Sequence, residues 1–75
     1  MSAEKNYLAA LELNPSDAQV HVLLARLMEK SGRSEESIAL LRQAIVLEAQ
    51  LAEPYNDLAG VLMRQAPSVE NTKDL

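Results

Sequence analysis

The chain has 75 residues, 48% of them hydrophobic and 24% charged, a balance that suits a folded domain and excludes wholesale disorder. It has no cysteine, so disulfides and thiolate metal sites are excluded. The net charge of −4 and pI of about 4.8, with no cluster of Lys and Arg, speak against a nucleic-acid binder. The apolar content is mainly Leu and Ala, with only Tyr7 and Tyr55 as aromatics. Such residues favour helices over strands, so an all-α fold is expected.

Ala3, Tyr7, Ala10, Leu11 and Leu13 recur at helical spacing and predict a first helix over 3–13. Asn14-Pro15 ends it, because the residue before proline is pushed out of the α region. Ser16 or Asp17 can cap a second helix running to Lys30, with Val20, Leu24, Ala25, Leu27 and Met28 on its apolar side. Gly32 suits a left-handed helix end. Ser34 is the expected cap of a third helix carrying Ile38, Leu41, Ala44, Ile45 and Leu47 to about Glu48. A break is expected between Glu48 and Pro54, because a continuing helix would lose a hydrogen bond and clash at the proline. A fourth helix then presents Tyr55, Leu58, Ala59 and Leu62 and stops near Gln65. Residues 67–75 read as a polar tail. Short links make successive helices antiparallel neighbours.

A shift of 34 residues lays the sequence on itself. Ala10 falls on Ala44, Leu11 on Ile45, Leu24 on Leu58, Ala25 on Ala59, Met28 on Leu62 and His21 on Tyr55. A two-helix period of this length resembles the tetratricopeptide repeat. That family's first helix resembles His21-x-x-Leu24-Ala25-x-x-Met28 and Tyr55-x-x-Leu58-Ala59-x-x-Leu62. Its second helix resembles Ala3-x-x-x-Tyr7-x-x-Ala10 followed by Pro15, and Ser37-x-x-x-Leu41-x-x-Ala44 without the proline. Three positions depart from the pattern: His21 replaces the aromatic, Ser37 a small apolar residue, and Ala49 the proline.

The resemblance implies a solenoid of antiparallel helix-turn-helix repeats in a right-handed superhelix. Its domain would span 1–66, as a half repeat at 3–13, a full repeat at 17–50 and a half repeat at 52–65. It implies a scaffold or adaptor that is not an enzyme and that binds a peptide or helix of another protein on a concave face. On that face it places Gln19, Val22, Arg26, Glu29, Lys30, Glu53, Asn56, Gly60, Met63 and Arg64. One subclass grips carboxylate tails with a lysine, asparagine and arginine clamp. Val22 and Arg26 stand in its first slots here and Asp57 in a later one, so that clamp is not expected.

No catalytic group is legible. His21 is the single histidine and reads as packing, and the serines at helix ends read as caps. Asp17 and His21 lie one helical turn apart, too few ligands for a metal site, and no cofactor is expected. Tyr7 and Tyr55 read as core packing residues. Gly60 within a helix reads either as drift at a tolerant position or as room for a partner's backbone.

The outer helices each carry an apolar stripe, Tyr7, Ala10 and Leu11 on one and Leu58, Ala59 and Leu62 on the other. Such stripes mark interaction surfaces, so self-association is expected, as a two-fold dimer in solution and by end-to-end stacking when concentrated. The alternatives to a partner-binding scaffold are a purely self-associating structural element and an accessory region of a larger enzyme. No apolar run reaches the roughly 18 residues of a membrane span, and a cytoplasmic protein without membrane or nucleic-acid partners is expected.

Overall fold

The computed structural model describes residues 2–65, and the expected polar tail lies outside them. Four helices follow in order: α1 (Ala3–Leu13), α2 (Ala18–Lys30), α3 (Ser34–Leu47) and α4 (Ala52–Gln65). The fold is an all-α helical repeat, with no strand among the described residues.

The ends of the helices follow from local chemistry. The Ser2 side chain accepts from the Lys5 amide at 3.2 Å, and Asp17 Oδ1 accepts from the Val20 amide at 3.2 Å, so α1 and α2 are each capped by an oxygen that meets a free N–H. Asp17 takes that role, and Ser16 lies in the turn before it. At the end of α2, Gly32 adopts φ 81°. Its N–H donates to the Glu29 carbonyl at 3.1 Å, and that of Arg33 donates to the Met28 carbonyl at 2.8 Å. This pair of bonds satisfies two carbonyls that the helix end would otherwise leave free. It also uses Arg33 as the last turn residue, so α3 begins one position earlier than expected. Ser34 is its first helical residue, and no side chain caps it.

The missing proline at Ala49 does not alter the turn. The Asn14 amide donates to the Ala10 carbonyl at 2.9 Å and the Asp17 amide to Asn14 at 3.1 Å. Shifted by 34, Glu48 donates to Ala44 at 2.9 Å and Leu51 to Glu48 at 3.1 Å. The cap residues match too, Asn14 at φ −144°, ψ 84° and Glu48 at φ −148°, ψ 87°. Pro54 then sits in the first turn of α4, where no intrahelical N–H bond is needed, and it is buried. The expected break between Glu48 and Pro54 is present.

The core lies between α2, α3 and α4. Ala18, Val22, Ala25, Leu41, Ala44 and Val61 form it, with Ile38, Leu40, Leu47, Leu51 and Leu58 partly buried around it. Leu24 and Met28 are buried as well, on the side of α2 nearer α1 and α3. Ala25 and Ala44 are wholly enclosed, as close approach of two helices requires. The ion pairs give the directions. Arg26 meets Asp57 and Glu29 meets Arg64, so α2 and α4 run parallel. Gln65 reaches Glu35, so α4 runs antiparallel to α3. Arg33 reaches Glu4, which sets the start of α1 beside the start of α3.

Two expectations about the ends of the stack are corrected. Tyr55 is 47% exposed and is not a core residue, because no described helix covers that side of α4. On α1, the stripe of Tyr7, Ala10 and Leu11 is half-buried rather than open, while Leu8 and Leu13 on the same helix are exposed.

Candidate functional site

α2 and α4 lie side by side with α3 behind them, and a cleft of about 180 Å³ opens between them. Arg26 and Glu29 form its α2 wall, and Asn56, Asp57, Gly60 and Arg64 its α4 wall. Ser37 and Leu41 of α3, with Val61 of α4, form the floor. A second, wider cleft lies on the other side of α2, between it and Ala3 and Tyr7 of α1. Arg26 and Glu29 line both clefts, and Lys30 the second.

The walls are joined by two ion pairs. Arg26 Nε donates to Asp57 Oδ2 at 2.6 Å, and Arg64 Nε donates to Glu29 Oε2 at 2.5 Å. The Asp57 hydrogen bond, aided by the charges of Asp57 and Glu53 and opposed by slight desolvation, raises the Arg26 pKa above its ordinary value. The Arg26 side chain is 46% exposed and that of Arg64 61%, so each pair contributes at most about 1 kcal/mol. Their effect is to cancel charge: two guanidiniums and two carboxylates leave the cleft without net charge.

The floor carries one anomaly. Ser37 is completely buried, and its hydroxyl has no hydrogen-bond partner. A buried hydroxyl in that state costs about 1–3 kcal/mol of desolvation. The sequence marks Ser37 only as a departure from a small apolar slot.

Of the residues expected on the concave face, Arg26, Glu29, Asn56, Gly60 and Arg64 meet in this cleft. Gln19, Lys30, Glu53 and Met63 are exposed but do not line it. Val22 is a correction: it has 0% exposure and belongs to the core, because α4 packs against that side of α2. Asp57, Ser37, Leu41 and Val61 are the cleft residues that sequence reasoning did not place there. No local signal marks Asp57 as the partner of Arg26, 31 positions away. His21 is buried, with Nδ1 2.9 Å from the Asp17 carbonyl oxygen, as a packing residue would be. The Asp17 carboxylate is occupied as a helix cap.

A further charge cluster lies away from the cleft. Arg33 Nε donates to Glu36 at 2.6 Å while its Nη1 donates to Glu4 at 3.1 Å, tying α1 to the start of α3. The hydrogen bond from Arg33 holds the Glu36 carboxyl below its ordinary pKa, and the two carboxylates raise that of Arg33.

No described helix is long and apolar enough to cross a membrane. No curated protein and no solved structure matches the chain. The family model described as tetratricopeptide repeat matches residues 6–39. The matched stretch runs from α1 through α2 into α3, one 34-residue period, the same shift that relates the turns at Asn14 and Glu48. On that match residues 6–39 are similar to one tetratricopeptide repeat, which supports assignment to that family.

Proposed function

We propose that this protein-interaction module receives an extended or helical segment of another protein on the face shared by α2 and α4. The observation that carries this reading is the cleft itself: parallel helices one repeat apart bring Arg26, Glu29, Asn56, Gly60 and Arg64 to a common opening. The family is generally a non-catalytic interaction module, which favours binding over catalysis. Gln19, Lys30, Glu53 and Met63 extend the same face beyond the cleft as exposed side chains. A photoreactive residue at Asn56 tests the reading against one at the exposed Ala39 on α3. Partner adducts should form from position 56 and not from position 39. Equal labelling from both, or labelling from 39 alone, would sink the assignment of the face.

A second reading, self-association, is favoured by a different observation. Slots buried in the middle of the chain are open at its outer helices. His21 is 7% exposed and Met28 4%, against 47% for Tyr55 and 40% for Leu62. Leu41 is 1% exposed, whereas Tyr7 in the equivalent slot is half-buried. An α4 face meeting an α1 face of another copy would restore the pairing that α2 and α3 make within one chain. The two faces differ, so this joint is head-to-tail, whereas a two-fold dimer would pair like with like. Head-to-tail stacking is therefore preferred here over the dimer. Light scattering across a concentration series is the test, with Leu62→Glu as control. Because Leu62 is already 40% exposed, the variant should lose assembly with little loss of monomer stability. A wild-type chain that stays monomeric at millimolar concentration removes this reading.

A further inference from the structure

We propose that the α2/α4 cleft is a subsite for an uncharged carboxamide side chain, that of Gln or Asn, carried on the bound segment. The proposal rests on the concave-face reading above and names the chemistry that face selects.

Three observations lead to it. First, the charges at the walls cancel in pairs, Arg26 with Asp57 and Arg64 with Glu29. An incoming carboxylate or ammonium group would give up its water without meeting a net opposite charge, which is unfavourable. Second, each pair is joined at one point, Nε to a single carboxylate oxygen. The Nη groups of both arginines and the second oxygens of Asp57 and Glu29 have no hydrogen-bond partner among the described residues. Donors and acceptors therefore stand together on the walls. Third, the floor holds the Ser37 hydroxyl, completely buried, lining the cleft and without a partner. A hydroxyl both donates and accepts.

A primary carboxamide matches this set. It has an acceptor oxygen and two N–H donors on one small neutral group. Its oxygen can accept from Ser37 while its N–H groups donate to a free carboxylate oxygen of Glu29 or Asp57. Ser37 is completely buried, so reaching it requires the cleft between the bridged walls to open. The Arg26 and Arg64 side chains are 46% and 61% exposed, and solvent-screened pairs of this kind resist little. Gly60 adds no side chain to the α4 wall, and the Arg64 guanidinium lies over it, 3.5 Å from where a Cβ would stand.

The test is a titration of the isotope-labelled chain with three capped pentapeptides of alanine carrying a central Gln, Glu or Lys, followed by amide shifts. The Gln peptide should give saturable shifts at Ser37, Asn56 and Gly60 and bind roughly tenfold tighter than the other two, the worth of about one hydrogen bond that the site must otherwise leave unmade. Ser37→Ala should remove most of that preference while the helical spectrum stays intact. If the Glu or Lys peptide binds as tightly as Gln, the carboxamide assignment is overturned and peptide binding at this face stands. If Ser37→Ala leaves the preference unchanged, the hydroxyl is not part of the subsite and the proposal falls. Absence of saturable shifts with all three peptides overturns the subsite, while the crosslinking from position 56 decides the wider reading separately.

Discussion

Ala25 and Ala59 stand in the same slot of the repeat, 34 residues apart, and only Ala25 is covered: it is 0% exposed, whereas Ala59 is an exposed residue of α4. The chemistry of the slot is identical, and the difference lies in the neighbours. α2 has helices on both sides, while α4 packs on α3 and α2 and has no described helix beyond it. Ala25→Leu should therefore force side chains off their rotamers and cost about 1–3 kcal/mol. Ala59→Leu, measured at low concentration, should stay within about 0.5 kcal/mol of wild type. Urea unfolding of the two variants is the comparison, and equal costs would show that the two slots do not differ as described.

Leu24 and Leu41 are 2% and 1% exposed, on facing helices of the central hairpin. Replacement of either by Ala should cost about 2–5 kcal/mol through lost burial and a residual cavity. A chain of this size holds only about 3–5 kcal/mol of net stability, so circular dichroism should show either variant largely unfolded at room temperature. A variant that melts like wild type would mean that the packing register is wrong.

Ser37→Ala should raise stability by about 1 kcal/mol, since it removes a buried hydroxyl that has no partner. A lower melting temperature would mean that the hydroxyl has a hydrogen-bond partner in solution. Higher stability together with lost Gln selectivity is the joint outcome expected of a residue kept for binding.

Gly60→Ala should also stabilise, by about 0.5–1 kcal/mol, because alanine is the better helix former. The added Cβ would meet only the Arg64 guanidinium, at 3.5 Å, an ordinary contact with the mobile end of a flexible side chain. Thermal unfolding provides the check, and destabilisation would reveal a clash that this geometry does not contain.

Glu36 gives a prediction in pH. Its carboxyl is held below the ordinary value of 4.5, first by the Arg33 hydrogen bond and then by the Arg33 charge, against slight desolvation. A carboxylate with a lowered folded-state pKa contributes stability that is fully present above 4.5 and is lost as pH falls through the lowered value. Arg33 stays charged throughout, since its own pKa is raised. Glu36→Gln should therefore flatten the acid side of the stability curve below 4.5 and leave its shape between pH 6 and 8 unchanged. The contribution is small, as both groups are exposed to solvent and screened. An unchanged acid limb would show that the pair does not persist in solution.

Local chemistry was legible in the sequence. Pro15, Gly32 and Pro54 restrict the backbone at their own positions, and the caps act within three residues, so helix ends could be read to within a position. The 34-residue period followed from the same slots recurring along the chain, and with it the burial of Leu24, Ala25, Met28, Leu41 and Ala44. Only the tertiary structure decided which face of each helix has a neighbour. Val22 was read as a groove residue and is core, because it packs in one cluster with Leu41 of α3 and Val61 of α4. Tyr55 occupies the slot of the buried His21 and is exposed, because its surroundings depend on which helix packs beside it and not on the slot. The pairing of Arg26 with Asp57 and of Glu29 with Arg64 was equally out of reach. Long side chains meet across helices only when crossing geometry sets their distance, and a repeat pattern of small and large residues determines that helices pack without specifying which charged tips will touch.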